Sequence, residues 1–144
     1  MSSFVPKPRV YLAGAITSPT VDLYTKRVAT HAKCALALEA QGEVTVYSPA
    51  SETHGLVELG GKMGTTWTDW RDHDLNMLYG SNRIYVMMMD GWKESKGVRG
   101  EVKFAIQHNI PISLIAEDAS YIIQMPIPEL LKMFGVNETE ELND

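Results

Sequence analysis

The chain has 144 residues, 44% of them hydrophobic, a formal net charge of -5 and one cysteine, Cys34. That length suits a single domain with its own core, one cysteine excludes an internal disulfide framework, and the longest apolar run, 84–89, falls far short of the roughly 20 residues of a membrane-spanning helix. Scattered Lys and Arg offer no basic stripe for a nucleic-acid polymer, and no charged segment followed by an apolar run opens the chain, so a cytoplasmic domain over 1–136 with an acidic tail over 137–144 is expected.

Residues 10–13 form a short apolar run that stops at Gly14, the pattern of a strand buried on both faces. Ser18 before Pro19 predicts a helix start, after which Val21, Tyr24, Val28, Ala32, Ala35 and Leu36 recur at helical spacing until Gly42. A second strand is expected over 44–47. Residues 48–64 are rich in Ser, Gly and Pro, show no period, and are read as a long loop of the kind that often carries function. A helix over 66–79 places Trp67, Trp70, Met77 and Leu78 on one face, with Asp74 among them.

Residues 84–89 are the strongest strand, ended by Asp90-Gly91. The next helix, 96–108, turns Val98, Val102, Ala105 and Ile106 inward. A fourth strand over 111–115, a weaker fifth at 122–123 and a closing helix over 128–134 complete the order. Strands alternating with helices predict an α/β fold, a single doubly wound parallel sheet of the flavodoxin-like or Rossmann-like kind, with four to five strands in the order 2-1-3-4(-5) and helices on both faces. The chain then reverses direction between the first and third strands, and ligands of such sheets bind at the carboxyl ends of the strands flanking that reversal.

Two loops occupy those ends. In the first, Gly14 and Ile16 follow Tyr11, and a residue without a Cβ lets a ligand approach the backbone, or only makes a tight turn. In the second, Asp90 and Trp92 precede Ser95 and Gly97 at the start of a helix, whose free N–H groups suit an anion or are merely capped. Glu101 lies one turn into that helix, beside the inward-facing Val102. Asp74 sits among large apolar residues, where a carboxyl needs either a structural partner or a task.

Together these pieces resemble a known family. A strand ending Tyr11-Leu-Ala-Gly14-x-Ile16, the pair Asp74-Leu75, and Ser95-x-Gly97-x-x-x-Glu101-x-x-x-Ala105 followed by Pro111 are similar to the nucleoside 2-deoxyribosyltransferase superfamily, which includes deoxyribosyltransferases and 2'-deoxynucleoside 5'-phosphate N-hydrolases. The resemblance implies cleavage of an N-glycosidic bond with Glu101 as nucleophile, a glycosyl-enzyme ester as intermediate, Asp74 helping to orient the site and assisting the departing base, Tyr11 orienting the nucleophile or contacting the sugar, and Ser95 and Gly97 holding the 5' end. It implies a nucleoside or nucleotide as ligand, no cofactor, and a homo-oligomer, dimer or larger, whose neighbouring subunit often completes the site. The segments 91–94 and 48–64 have no clear counterpart, which leaves open whether water or a second base accepts the sugar.

Other motifs are set aside. Asp72, His73 and Asp74 are adjacent on a helix and point about 100° apart, so they do not converge on a metal ion. Gly60, Gly61 and Gly64 follow no strand and precede no Lys-Ser/Thr. Cys34 has no activating neighbour. The second reading is a nucleotide-binding or sensing module that keeps the fold without the chemistry.

Overall fold

The computed structural model describes residues 4–58 and 67–135, the backbone alone for 55–58; the expected tail and the 59–64 part of the long loop lie outside the described residues. The elements run β1 (Arg9–Ala13), α1 (Val21–Gln41), β2 (Thr45–Tyr47), α2 (Pro49–Glu58), α3 (Trp67–Tyr79), β3 (Arg83–Met87), α4 (Lys96–Gln107), β4 (Ile112–Ile115), β5 (Ile122–Gln124) and α5 (Ile127–Phe134). One five-stranded sheet has the order β2-β1-β3-β4-β5. The first four strands are parallel, with Val10 opposite Val46 on one side of β1 and opposite Arg83 on the other.

Period-two alternation of apolar strand residues supplies two cores. Leu12, Met87 and Ile115 face α1 and pack with its Cys34 and Leu38. Tyr11, Ala13, Ile84, Val86, Ile112 and Leu114 face the other way and pack with α3, α4 and α5. The step from β1 to β2 therefore runs under α1, while the opposite steps to β3 and β4 run under α3 and α4, as right-handed crossovers require.

Several expectations are corrected. The sheet is not wholly parallel: β5 pairs antiparallel with β4, Leu114 opposite Ile123. A turn with Ala119 at φ 62° returns the chain within a few residues, so no crossover helix is needed. Residues 49–58 are not loop but α2, which begins at a proline whose fixed φ and missing N–H suit the first helical turn. At α1 the cap is Thr20, whose Oγ1 accepts from Leu23 N at 3.2 Å, and not Ser18, whose hydroxyl donates to the Ile16 carbonyl. The inward stripe of α1 is His31, Cys34 and Leu38; Val21 and Leu36 are exposed. On α3, Leu75 and not Met77 joins Trp67, Trp70 and Leu78 in the core. Only part of Ile106 is covered on α4.

The contact between α3 and α4 is built on missing side chains. A Cβ at Gly100 would stand 2.6 Å from Cζ2 of Trp67, and one at Gly97 would stand 3.3 Å from its Cε3. The two glycines leave a flat seat for a rigid indole that cannot give way as a flexible chain could. Gly100→Ala is expected to cost about 1–3 kcal/mol through overpacking, despite the better helix propensity of alanine. Urea unfolding followed by tryptophan fluorescence checks this; an unchanged midpoint would mean that the indole is free to shift.

Candidate active site

The reversal between β1 and β3 opens a cleft at the carboxyl edge of the sheet, between α1 and α2 on one side and α3 and α4 on the other. The cleft has about 590 Å³ of empty space continuing into solvent, around an inner chamber of about 50 Å³, room for a few water molecules. Gly14, Ile16 and Thr17 supply its floor, Tyr24 and His31 come from α1, Pro49, Ala50 and Thr53 from α2, Trp67, Trp70 and Asp74 from α3, and Ser95, Gly97 and Glu101 from the start of α4. A wider recess of about 580 Å³ adjoins it through Thr17, Trp67 and Ser95, and adds Arg27 and Lys96.

Glu101 reaches this chamber because Val98, Val102 and Ala105 fix the inward face of α4, which turns the neighbouring carboxyl over the end of the sheet; the residue is only 4% exposed. Burial, with the Asp74 charge added to it, holds the Glu101 carboxyl well above the usual carboxylate range, and only the Tyr11 hydroxyl beside it favours the ionised form. Burial alone pushes Asp74 up to about 7. Tyr11 is wholly enclosed, and desolvation first, then the Glu101 and Asp74 charges, raise its phenol well above the usual range. Both carboxyls are thus pushed toward the protonated form, and ionisation of Asp74 opposes that of Glu101.

The second row supports the first. Tyr47 packs 5.9 Å from Tyr11, ring centre to ring centre, and its hydroxyl is 2.9 Å from His73 Nε2. Burial, the Asp74 charge and that of Glu52 raise Tyr47 to about 12. Ser95 Oγ accepts from Val98 N at 3.2 Å and so caps α4, which leaves its hydroxyl hydrogen available to a ligand.

Buried polar atoms without a partner are uncommon in folded proteins. Among the described residues His31 Nδ1, Asp74 Oδ1 and Arg27 Nε have none, and the Tyr11 hydroxyl has only the Glu101 carboxyl beside it. His31 and Asp74 line the chamber, Tyr11 lies against its Glu101 wall, and Arg27 lines the adjoining recess. These atoms are concentrated around this cleft and the recess beside it.

The structure brings Glu101, Asp74, Gly14, Ile16, Ser95 and Gly97 to one chamber, with Tyr11 behind it. It does not bring Asp90 or Trp92 there. The Asp90 side chain is 91% exposed and pairs with Arg27 at 3.6 Å; Trp92 packs edge-on against Phe134, ring centres 5.6 Å apart, with Lys93 Nζ 5.3 Å from its own ring centre. Both residues fasten the β3–α4 loop instead. Gly14 is also corrected in its reason: the space of its missing Cβ is filled by Met87, Met89 and His31 of the chain itself. Sequence reasoning did not name Thr17, Tyr24, His31 or the α2 residues as part of the site: Tyr24 was read as inward packing, His31 fell off the apolar stripe drawn for α1, and α2 was read as loop. Cys34, buried and raised to about 11 by desolvation, is inert.

The raised Asp74 has a thermodynamic consequence. Its folded value of about 7 exceeds the roughly 3.9 of an unfolded aspartate, so between those values the native state holds a proton that the unfolded chain has lost. The corresponding stability is fully present below the unfolded value and is lost as pH rises through about 7. Asp74→Asn, neutral at every pH, is expected to raise Tm over the parent at pH 8 by about 2–4 °C per kcal/mol relieved, and to differ little near pH 4. Thermal scans across that range check it; a difference independent of pH would remove burial of the charge as its cause.

Comparison with known proteins follows the same geometry. The chain is similar in structure to a 2-deoxyribosyltransferase from the psychrotolerant bacterium Bacillus psychrosaccharolyticus, with a TM-score of 0.53 and 18% identity over 83% of this chain and 78% of that one. This likeness is one of fold: a single, mostly parallel sheet with helices in the same architecture. No curated protein matches. The family model described as Domain of unknown function (DUF4406) matches residues 8–114, from the start of β1 into β4 and through every element that lines the chamber. The chain belongs to the DUF4406 family.

Proposed function

We propose that the chain cleaves the N-glycosidic bond of a deoxynucleoside or its 5'-monophosphate. The observation that carries this reading is the pair of carboxyls, the buried Glu101 and the half-buried Asp74, set in one chamber where their charges oppose each other. An oxocarbenium-like sugar carbon calls for one ionised carboxylate, and a departing base calls for one proton. A pair holding a single proton supplies both.

In the resting chamber the Asp74 charge opposes ionisation of Glu101; the reacting state has the proton on Asp74 instead and Glu101 ionised, a form favoured by the Tyr11 hydroxyl and by the positive charge developing at C1'. The C1'–N bond breaks as a Glu101 oxygen bonds to C1', and the base leaves with the electron pair and the Asp74 proton. The acceptor, water or the N–H of a second base, then attacks C1' and returns a proton to Asp74, which releases Glu101 as carboxylate. Splitting the displacement in two lowers each barrier. Trp67 and Trp70 keep the chamber poor in water, which strengthens the electrostatics within it. Ser95 and Gly97 hold the 5' end, with Arg27 and Lys96 next to it in the adjoining recess. The kinship in fold with a 2-deoxyribosyltransferase supports this reading. The lone buried thiol fits a cytoplasmic setting, and assembly into a homo-oligomer is part of the same proposal.

Purified protein incubated with deoxynucleosides and their 5'-monophosphates, with and without a second free base, is expected to release or exchange nucleobase, read by liquid chromatography. Glu101→Ala is expected to lower that turnover by roughly a thousandfold or more; undiminished turnover would overturn the assignment of Glu101. Ligand binding with no base release on long incubation would establish a binding module instead.

The rate should also fall as pH rises through about 7, where Asp74 loses its proton. A pH profile of kcat that stays flat from 6 to 9 would exclude Asp74 as the proton donor.

A further inference from the structure

His31 is 1% exposed and belongs to the inward stripe of α1, yet it also lines the chamber. Its Nε2 lies 3.1 Å from the Ala15 carbonyl oxygen. That oxygen only accepts, so Nε2 carries the ring proton and Nδ1 is left as a bare lone pair. Among the described residues none donates to it. Burial, reinforced by the Arg27 charge and opposed by the Ala15 carbonyl, holds the ring's pKa down at about 4, so near neutrality Nδ1 remains an acceptor.

The bond to Ala15 explains one nitrogen and not the other. A buried acceptor without a partner carries a desolvation cost that an apolar residue here would not incur. Asp74 Oδ1, also buried and without a partner among the described residues, lies in the same chamber, which opens into a cleft of about 590 Å³ continuing into solvent.

We propose that His31 is a specificity residue: its Nδ1 accepts a hydrogen bond from an N–H or O–H group of the substrate, an amino group on the base or a hydroxyl on the sugar. This rests on the nucleoside reading given above. Where the carboxyl pair changes charge during reaction, this acceptor is fixed, so it selects among substrates without taking part in proton transfer. A carbonyl oxygen in the same place would meet a lone pair with a lone pair and be rejected, as sites built around a donor reject analogues that lack it.

Matched ligands read this directly by calorimetry: deoxyadenosine against deoxyinosine, deoxycytidine against deoxyuridine, and a 3'-hydroxyl against its 3'-deoxy analogue. Wild type is expected to prefer the donor-bearing member of one pair by roughly tenfold, and which pair shows it identifies the base or the sugar as the source. His31→Gln keeps an amide N–H near Nε2 to hold Ala15 but has no acceptor at the place of Nδ1; its affinity ratio should fall toward one with Tm little changed. His31→Asn sets an amide oxygen near Nδ1 and gives up Ala15; it should keep the ratio and lose Tm. A measurement that needs no variant is the nitrogen NMR signal of His31 Nδ1, which should move on titration with the preferred ligand. A wild-type ratio near one for every pair, an unchanged ratio in His31→Gln, or a stationary Nδ1 signal with ligand bound would overturn the role of His31 alone. Failure of every nucleoside and nucleotide to bind would overturn the nucleoside reading and this inference with it.

Discussion

The site depends on keeping two carboxyls out of water. Ionised groups in a low-dielectric chamber are costly, and the chain meets that cost with its surroundings: α3 and α4 carry Asp74 and Glu101 to the same edge of the sheet, and Tyr11 stands beneath them on β1. The indole of Trp67, seated on Gly97 and Gly100, closes one wall. Move either helix by the width of a methyl group and the enclosure changes. Packing that would pass for ordinary core is therefore also what sets the acidity of the chamber.

This gives the glycines of α4 a double meaning. Gly97 was legible as a loop residue near a ligand, and it does line the chamber, but it also passes the back of an indole at van der Waals distance. Gly100 touches nothing in the cleft and matters only through Trp67. Function and stability are opposed at Asp74 in the same way: the carboxyl that a reaction would use is the one whose charge the fold resists.

The sheet order was readable because buried parallel strands announce themselves as short apolar runs, and crossovers leave few arrangements. The reversal between β1 and β3 also placed Tyr11, Ser95 and Glu101 near one crevice, while Asp74 was joined to them only by the family resemblance. What failed was local. The Ser-Pro signal was applied at Ser18-Pro19, where Thr20 caps the helix instead, and passed over at Ser48-Pro49, where the helix does begin. The identical dipeptide was right once and wrong once, since tertiary contacts decide which candidate start is used. Separately, the apolar period drawn along α1 passed over His31, because a polar side chain carries no hydrophobic signal even where it is buried. The exposed Asp90 and the core-bound Trp92 show the other limit: a loop at the right edge of a sheet still divides its side chains between ligand and scaffold, and spacing alone does not say which.

The contact between Trp92 and Phe134 reaches across the chain from the loop that precedes Ser95 to the last described helix. A ribosome making this protein completes β1, α3 and α4 well before it makes the ring against which that loop rests. The ring that steadies the β3–α4 loop is therefore among the last parts of the described fold to be made, and the loop gains this support only once α5 has docked.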